Sequence, residues 1–199
     1  LLIWMLILGG FISCGKEFIL LWVGEDHLIS YYVCGVLLIT NIVPATQSCA
    51  TEILRSQNKH RKRAYIVMGT TILNALITII LVNVLPQEQA IVGCLIGTAI
   101  SLFLGDWIIL SIYNSKAIKM PMGTYWLSLA KFALITATGI GVVLLMDLFL
   151  FSNMQVNILL LLFIKGLLFA AVFATLVLLL FKKNLKESFA VIKGLKNPK

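Results

Sequence analysis

The chain has few charged residues. Asp, Glu, Lys and Arg make up 12% of its 199 residues, whereas 60% of the residues are hydrophobic, and the mean hydropathy is +1.02. A soluble globular domain typically carries about 25% charged residues. The composition therefore excludes an ordinary soluble domain and predicts an integral membrane protein.

Signatures of catalysis are also missing. The sequence contains no GxSxG, HExxH or Walker motif. Its two histidines, His27 and His60, fall in predicted loops on opposite sides of the membrane, where their side chains cannot converge on one substrate. We therefore expect that the protein is not an enzyme and that it has no cofactor, no metal site and no ATP hydrolysis of the P-loop type.

The cysteines lack the spacing of a redox or metal site. All four stand singly inside apolar runs, without a CxxC pair: Cys14, Cys34, Cys49 and Cys94. Such isolated cysteines are typical of small, buried core residues, and we interpret them in that way.

Long apolar runs dominate what the chain does contain. A membrane helix needs roughly 20 apolar residues to cross a hydrocarbon core about 30 Å thick. Six runs reach that length: Leu1–Val23, Leu28–Leu54, Ala64–Leu85, Ala90–Tyr113, Trp126–Leu150 and Ile158–Phe181. The sequence thus predicts an all-α membrane protein with a bundle of six transmembrane helices.

Two of the predicted spans contain an interruption. Gly15, Lys16 and Glu17 interrupt the first, so we expect a helix followed by an interfacial turn. Pro44 lies in the second, which is unusually long, and a proline removes a backbone hydrogen bond and usually kinks a membrane helix. The turn Ser152–Asn157 is expected to join the last two spans as a hairpin.

Basic residues alternate between the gaps. The gaps 55–63 and 115–119 and the tail from Lys182 hold 13 of the 16 Lys and Arg residues, whereas the gaps 24–27, 86–89 and 151–157 hold none. Cytoplasmic loops carry the excess of Lys and Arg, so both ends of the chain are predicted to face the cytoplasm. The same topology explains the net charge of +8 without a nucleic-acid partner.

Two predicted units follow. Residues 1–181 form the transmembrane unit, and residues 182–199 form a short amphipathic cytoplasmic helix with Leu185, Phe189, Ile192 and Leu195 at helical spacing. The chain begins with Leu1 already inside an apolar run. We expect it to be part of a larger membrane protein.

Lys165 and Asp106 are the candidate substrate-binding residues, because ionisable groups inside a bilayer are costly. Lys165 lies eight residues into the last span, about 10 Å deep at 1.5 Å per residue. Lys165 is a candidate for contacting an anionic group of a substrate. Snorkelling, or pairing with Asp147, would also explain a lysine at this depth. Asp106 is a candidate proton or cation site, with pairing to a nearby Lys or Arg as the alternative.

The remaining polar and small residues of the spans are expected to serve packing. Lys131, Glu52 and Asp147 lie near span ends and are predicted to be interfacial, and no role is assigned to Lys16 or Glu17. Small residues allow close approach of helices, and polar side chains can hydrogen-bond between helices or line a polar cavity. The positions concerned are Gly93, Gly97, Gly139, Gly141, Asn41, Gln47, Ser48, Asn74 and Asn83.

An ordered set of motifs resembles a known family. The chain contains an aromatic, apolar turn closed by Gly (18–24), a basic turn (52–63), Asn74-Ala75, and Gly93-Cys-Leu-Ile-Gly97-Thr98-Ala-Ile-Ser101. This order resembles the C-terminal part of bacterial polysaccharide-biosynthesis flippases, within the multidrug and oligosaccharidyl-lipid exporter superfamily. One departure is the stretch 87–91, Gln-Glu-Gln-Ala-Ile, where the family often has a Gly.

The resemblance implies a fold and a function. The complete protein would have 12 to 14 spans in two lobes, of which this chain would be most of the second, with the missing N-terminal lobe as its partner. It would sit in the bacterial cytoplasmic membrane and move an undecaprenyl-pyrophosphate-linked saccharide between leaflets by alternating access, with polysaccharide-assembly proteins as further partners. The alternatives are a cation-coupled drug exporter of the same superfamily and a membrane scaffold that transports nothing.

Overall fold

The computed structural model describes residues 1–151 and 157–195, without the side chains of Glu88, Leu150, Phe151 and residues 181–195. This part of the chain is all-α. Its helices are α1 Leu2–Trp22, α2 Ile29–Thr40, α3 Ile42–Thr46, α4 Ser48–Ser56, α5 His60–Val84, α6 Ala90–Ile118, α7 Met122–Met146 and α8 Ile158–Leu195. Phe103–Leu110 within α6 and Asp147–Phe151 after α7 are π-helical, and short 3₁₀ turns Glu25–His27 and Gln87–Gln89 precede α2 and α6.

Five of the described helices, not six, are long and apolar enough to span a membrane: α1, α5, α6, α7 and α8. The prediction of six spanning helices is therefore wrong. The apolar run Leu28–Leu54 folds as α2, α3 and α4, of 12, 5 and 9 residues, each far shorter than a single span requires. The five long helices are those of a multi-pass membrane protein.

The breaks in this run flank Pro44, where the sequence predicts a kink. In a regular helix, residue 44 would donate its backbone N–H to the carbonyl oxygen of Thr40, four residues earlier. Pro44 has no N–H and cannot make this bond. Trp107 donates its indole Nε1–H to that oxygen instead, at 2.9 Å. Trp4 similarly donates to the carbonyl oxygen of Leu38 at 3.1 Å. Indole donors from two other helices thus bond to carbonyl groups beside the break.

Helices α1, α7 and α8 pack together around the apolar core of the protein. The side chain of Phe169 is only 1% exposed. A Cβ added to Gly9 would lie 2.1 Å from its ring and one added to Gly139 would lie 2.9 Å from it, so both glycines allow the ring to fit between α1 and α7. Gly139 confirms the prediction of a tight packing position, whereas a Cβ at Gly141 would meet nothing within 4 Å.

Helices α5 and α6 form an antiparallel hairpin joined by residues 85–89. Cβ atoms on Gly97 and Gly105 would clash with Thr78 and Thr70 of α5, so the glycine face of α6 lies directly against α5. Asn74 accepts hydrogen bonds from Thr78 at 3.1 Å and from Thr98 across the interface at 3.5 Å. The packing role expected for the Gly93/Gly97 pair is confirmed, since a Cβ at Gly93 would lie within 3.4 Å of α5 as well.

Two further expectations differ from the structure. Helix α1 is continuous through Gly15 and Glu17, so the predicted break in the first span is wrong. Helix α8 continues without interruption to Leu195, so the backbone of the predicted C-terminal helix is an extension of α8. The amphipathic side chains of that segment, and residues 152–156 of the turn predicted between α7 and α8, lie outside what the structure describes.

Candidate functional site: a buried charged triad

Three ionisable side chains meet where α1, α7 and α8 come together. Lys165 of α8 donates from Nζ to Oε1 of Glu17 in α1 and to Oδ1 of Asp147, at the end of α7, with the latter distance 2.7 Å. The side chains of Lys165 and Glu17 are 5% and 10% exposed, whereas that of Asp147 is 40% exposed. We call Glu17, Lys165 and Asp147 the triad.

The local sequence explains why these side chains point inward. Met5, Gly9, Ser13 and Glu17 follow one another at spacings of four residues and are all buried, so they form one face of α1. Lys16 lies outside that face and is exposed. Lys165 lies on α8 one turn before Phe169, on the face that meets α1 and α7.

The triad contains more acid than base. With both carboxylates ionised, one ammonium group faces two negative charges, and the triad carries a formal charge of −1. Burying charges is strongly unfavourable unless they are paired and hydrogen-bonded, and here Lys165 pairs with both acids. The arrangement leaves one carboxylate charge without a cationic partner inside the triad, and Asp147 is the member that is partly exposed.

The surroundings of the triad are partly polar. Cys14 and Tyr31 lie close enough to Glu17 to interact with it electrostatically. The hydroxyl of Tyr31 donates to the carbonyl oxygen of Ile12 at 2.9 Å, and its ring stacks on Phe11. The hydroxyl oxygen of Ser13 is buried without a hydrogen-bond partner among the described residues. Cys14 remains a free thiol beside Gly166, in keeping with a packing role.

The two residues proposed from the sequence lie in different clusters. Lys165 belongs to the triad, and the pairing with Asp147 that the sequence offered as an alternative is present. Asp106 is half-buried in the π-helical part of α6 and interacts electrostatically with Arg63 of α5. The structure therefore does not bring Lys165 and Asp106 into one site.

Sequence reasoning missed Glu17. The sequence predicted that the helix breaks at residues 15–17. With a break there, Glu17 would not be expected to share a helical face with the residues that precede it. The four-residue spacing from Met5 to Glu17 was the available signal, since a continuous helix would place the carboxylate on the same side as Gly9 and Ser13. Asp147, expected to be interfacial, is the partly exposed member of the triad.

A second buried polar cluster joins the break between α3 and α4 to α6. Gln47 donates to Ser111 Oγ at 3.0 Å and accepts from Asn114 Nδ2 at 2.7 Å, and all three side chains are buried. Thr46 and Tyr125 share a hydrogen bond of 2.6 Å between their hydroxyl groups. The interhelical role that the sequence offered for Gln47 is thus present, whereas Asn41 bonds within its own helical segment.

Among the residues that the structure describes, no group of three or more His, Cys, Asp or Glu side chains could hold a metal ion. No protein-family model matches the chain, and neither a curated protein nor a solved structure matches it. The triad and the ordered sequence motifs are the features of this chain that bear on its function.

Proposed function

We propose that this chain is part of a membrane flippase that moves a lipid-linked oligosaccharide, an undecaprenyl-pyrophosphate saccharide, across a bacterial cytoplasmic membrane. The triad supports the transport part of this proposal. A single charge at the middle of a membrane helix costs about 2.5–3.5 kcal/mol on insertion scales. Lys165 and Glu17 are both buried within long apolar helices and share the partly exposed Asp147 as a third partner, so the triad is a candidate for binding an ion.

The saccharide-lipid part rests on the ordered motifs between Phe18 and Ser101. Two structural features of this region suit a moving transporter. The glycine face of α6 keeps α5 and α6 together as one hairpin. The segment α2–α4 contacts both α1 and α6, and it is broken at Asn41 and Gln47. Discontinuous helices also occur in secondary transporters, where one group of helices rocks against another.

A cation-coupled drug exporter is the second candidate. One observation favours it: the triad contains two carboxylates for one ammonium, so its formal charge attracts a cation rather than an anion. Lys165 is saturated by its two partners and does not offer a free positive charge to a pyrophosphate. In the flippase, the triad would therefore bind the coupling cation, and other residues would bind the substrate headgroup.

Proteoliposomes that contain the full-length protein test the proposal. The measurement is leaflet translocation of a fluorescent undecaprenyl-pyrophosphate oligosaccharide under an imposed ion gradient. We expect translocation above that of protein-free liposomes, and we expect Glu17→Gln to lower the rate about ten-fold, equivalent to about 1.4 kcal/mol in the barrier. Glu52→Gln is the matched control, because Glu52 is an exposed acid paired with Arg55.

Other outcomes separate the alternatives. Folded protein that moves no oligosaccharide but exports the cationic dye ethidium, with the same loss in Glu17→Gln, would replace the flippase with the exporter. Folded protein that moves neither molecule would favour the remaining alternative, a membrane scaffold that transports nothing. Asp106→Asn, assayed alongside, shows whether the Asp106 and Arg63 cluster has a part in transport that is separate from that of the triad.

A further inference from the structure

The basic gaps 55–63 and 115–119 lie together in the structure. Tyr113 donates its hydroxyl group to the carbonyl oxygen of Lys59 at 2.8 Å. Lys59 in turn donates from Nζ to the carbonyl oxygen of Ala117 at 2.9 Å. Asn58 has a positive φ of 56°, which turns the chain sharply from α4 into α5. These contacts fix the start of α5 against the end of α6, and we call this region the basic end.

A groove of about 660 Å³ opens at the basic end, and we call it the headgroup groove. Its lining includes Asn58, Lys59, Arg61, Lys62, Tyr113 and Lys116, without an Asp or Glu residue. Lys59 is held by its bonds to the α6 terminus. Arg61, Lys62 and Lys116 are exposed, and none of them forms an ion pair within the described ranges 1–151 and 157–195. Three cationic side chains thus face one groove with no described anion to balance them.

An apolar groove of about 360 Å³ shares Lys116 with the headgroup groove. It is lined by Trp107, Ile108, Ile112, Met122 and Trp126, together with Ser111, Ser115 and Lys116. The indole rings of Trp107 and Trp126 lie 5.9 Å apart, between centroids, and form one of its walls. Because Lys116 lines both grooves, a molecule with a charged head and an apolar chain could occupy them together.

We propose that the basic end binds one anionic glycerophospholipid, whose phosphate lies among Arg61, Lys62 and Lys116 and whose acyl chain lies in the apolar groove. Charge complementarity selects the occupant: three unbalanced cations require an anion, and the adjoining apolar groove requires a hydrocarbon chain. Aromatic rings such as Tyr113 and Trp126 favour the headgroup level of a bilayer. The lipid would link α5, α6 and α7 at one end of the bundle. This inference does not depend on the proposed flippase.

Native mass spectrometry of the full-length protein tests the proposal. The protein, released from detergent, is offered phosphatidylglycerol and phosphatidylcholine with identical acyl chains at equal concentration. We expect preferential retention of one phosphatidylglycerol molecule. Each Lys or Arg near an anionic lipid contributes about five-fold in affinity. The triple variant Arg61→Gln/Lys62→Gln/Lys116→Gln should therefore weaken phosphatidylglycerol retention about 100-fold and leave phosphatidylcholine retention unchanged.

A matched control removes the same amount of charge elsewhere. The variant Arg55→Gln/Lys119→Gln/Lys131→Gln also loses three cations, none of which lines either groove. It should retain the preference for phosphatidylglycerol. Equal loss of preference in both triple variants would show that only overall charge matters and would overturn the site. Equal retention of the two lipids by the unaltered protein would overturn it as well. Thermal melting confirms that each variant is folded.

A third arm separates a lipid from a soluble phosphate compound. Glycerophosphoglycerol carries the same headgroup as phosphatidylglycerol but no acyl chain. We expect that it does not displace the lipid at equal concentration, and that Ser115→Trp, which fills the apolar groove, weakens retention of the intact lipid. Displacement by glycerophosphoglycerol would overturn the proposal of a lipid and identify a soluble phosphate ester as the ligand. Unchanged retention in Ser115→Trp would overturn the placement of the acyl chain in the apolar groove.

Discussion

Trp107 of α6 donates a hydrogen bond to the carbonyl oxygen of Thr40, at the break between α2 and α3. The bond takes the place of the one that Pro44 cannot make. A carbonyl group within the hydrocarbon core of a bilayer has no water molecule from which to accept a hydrogen bond. The identity of residue 107 is therefore tied to the presence of proline four residues after Thr40.

Trp107→Phe should lower the stability of the protein. The indole donor is lost and the carbonyl oxygen of Thr40 is left unpaired, which costs about 1–3 kcal/mol. Thermal melting in detergent measures the loss, and Trp22→Phe is the control because the Trp22 side chain is 74% exposed. Pro44→Ala restores a backbone N–H at this position, so the two changes should show a coupling energy of about 0.5–3 kcal/mol when they are combined. Additive effects would contradict this explanation.

Gly9→Ala should be destabilising by about 1–3 kcal/mol, because the added methyl group forces the ring of Phe169 and the methyl group of Thr136 to move. Gly141→Ala is the matched control, and it should be neutral or slightly stabilising, since its Cβ meets nothing within 4 Å. Both variants are compared by thermal melting. Combining Gly9→Ala with Phe169→Leu should recover part of the loss, and equal stability of the two alanine variants would refute the described packing.

Lys165→Met should be strongly destabilising, because it leaves the carboxylates of Glu17 and Asp147 close together without a cation. Removing one partner of a buried ion pair costs about 3–5 kcal/mol. Lys131→Met is the control, since Lys131 is exposed. The neutral triple variant Lys165→Met/Glu17→Gln/Asp147→Asn should melt closer to the unaltered protein than Lys165→Met does. If the triple variant is the less stable of the two, charge imbalance is not the cause.

Gln47→Leu should be destabilising by about 2 kcal/mol, because the buried side chains of Ser111 and Asn114 lose a shared partner. Asn83→Leu is the control, since the side chain of Asn83 donates to the carbonyl oxygen of Ile79 in its own helix and lies outside the buried cluster. Thermal melting should separate the two variants clearly. Restoration of stability by Asn114→Leu in the Gln47→Leu background would support the buried cluster, and a further loss would argue against it.

Much of the helical framework could be predicted because it follows from local composition. A run of apolar residues about 20 long must be helical in a bilayer to satisfy its own backbone, and five runs behave in this way. The α5–α6 hairpin was predictable as well, since the link between the two helices holds only five residues. The second run, Leu28–Leu54, was predicted to be one span because it is long and apolar. Hydropathy takes no account of the backbone hydrogen bond that Pro44 cannot make.

The triad was only half predictable. Lys165 was evident from its depth in an apolar run, and Asp147 was one of two explanations offered for it. Glu17 lies 148 residues from Lys165 in sequence, and nothing in the spacing of either residue indicates the other. Glu17 meets Lys165 because α1 packs against α8, with the ring of Phe169 fitted against Gly9.

Hydropathy and charge along the chain were enough to establish a multi-pass membrane protein, an antiparallel arrangement of α5 and α6, and clusters of Lys and Arg in alternate gaps. These properties depend on residues near one another in the chain. Three other relationships emerged from the packing of the helices. Glu17 and Asp147 share Lys165, and Trp107 donates to the carbonyl oxygen that Pro44 leaves unpaired. Three basic side chains from α5 and α6 line the headgroup groove. Such relationships join residues on different helices, and they arise when small side chains and hydrogen bonds fix how those helices approach each other.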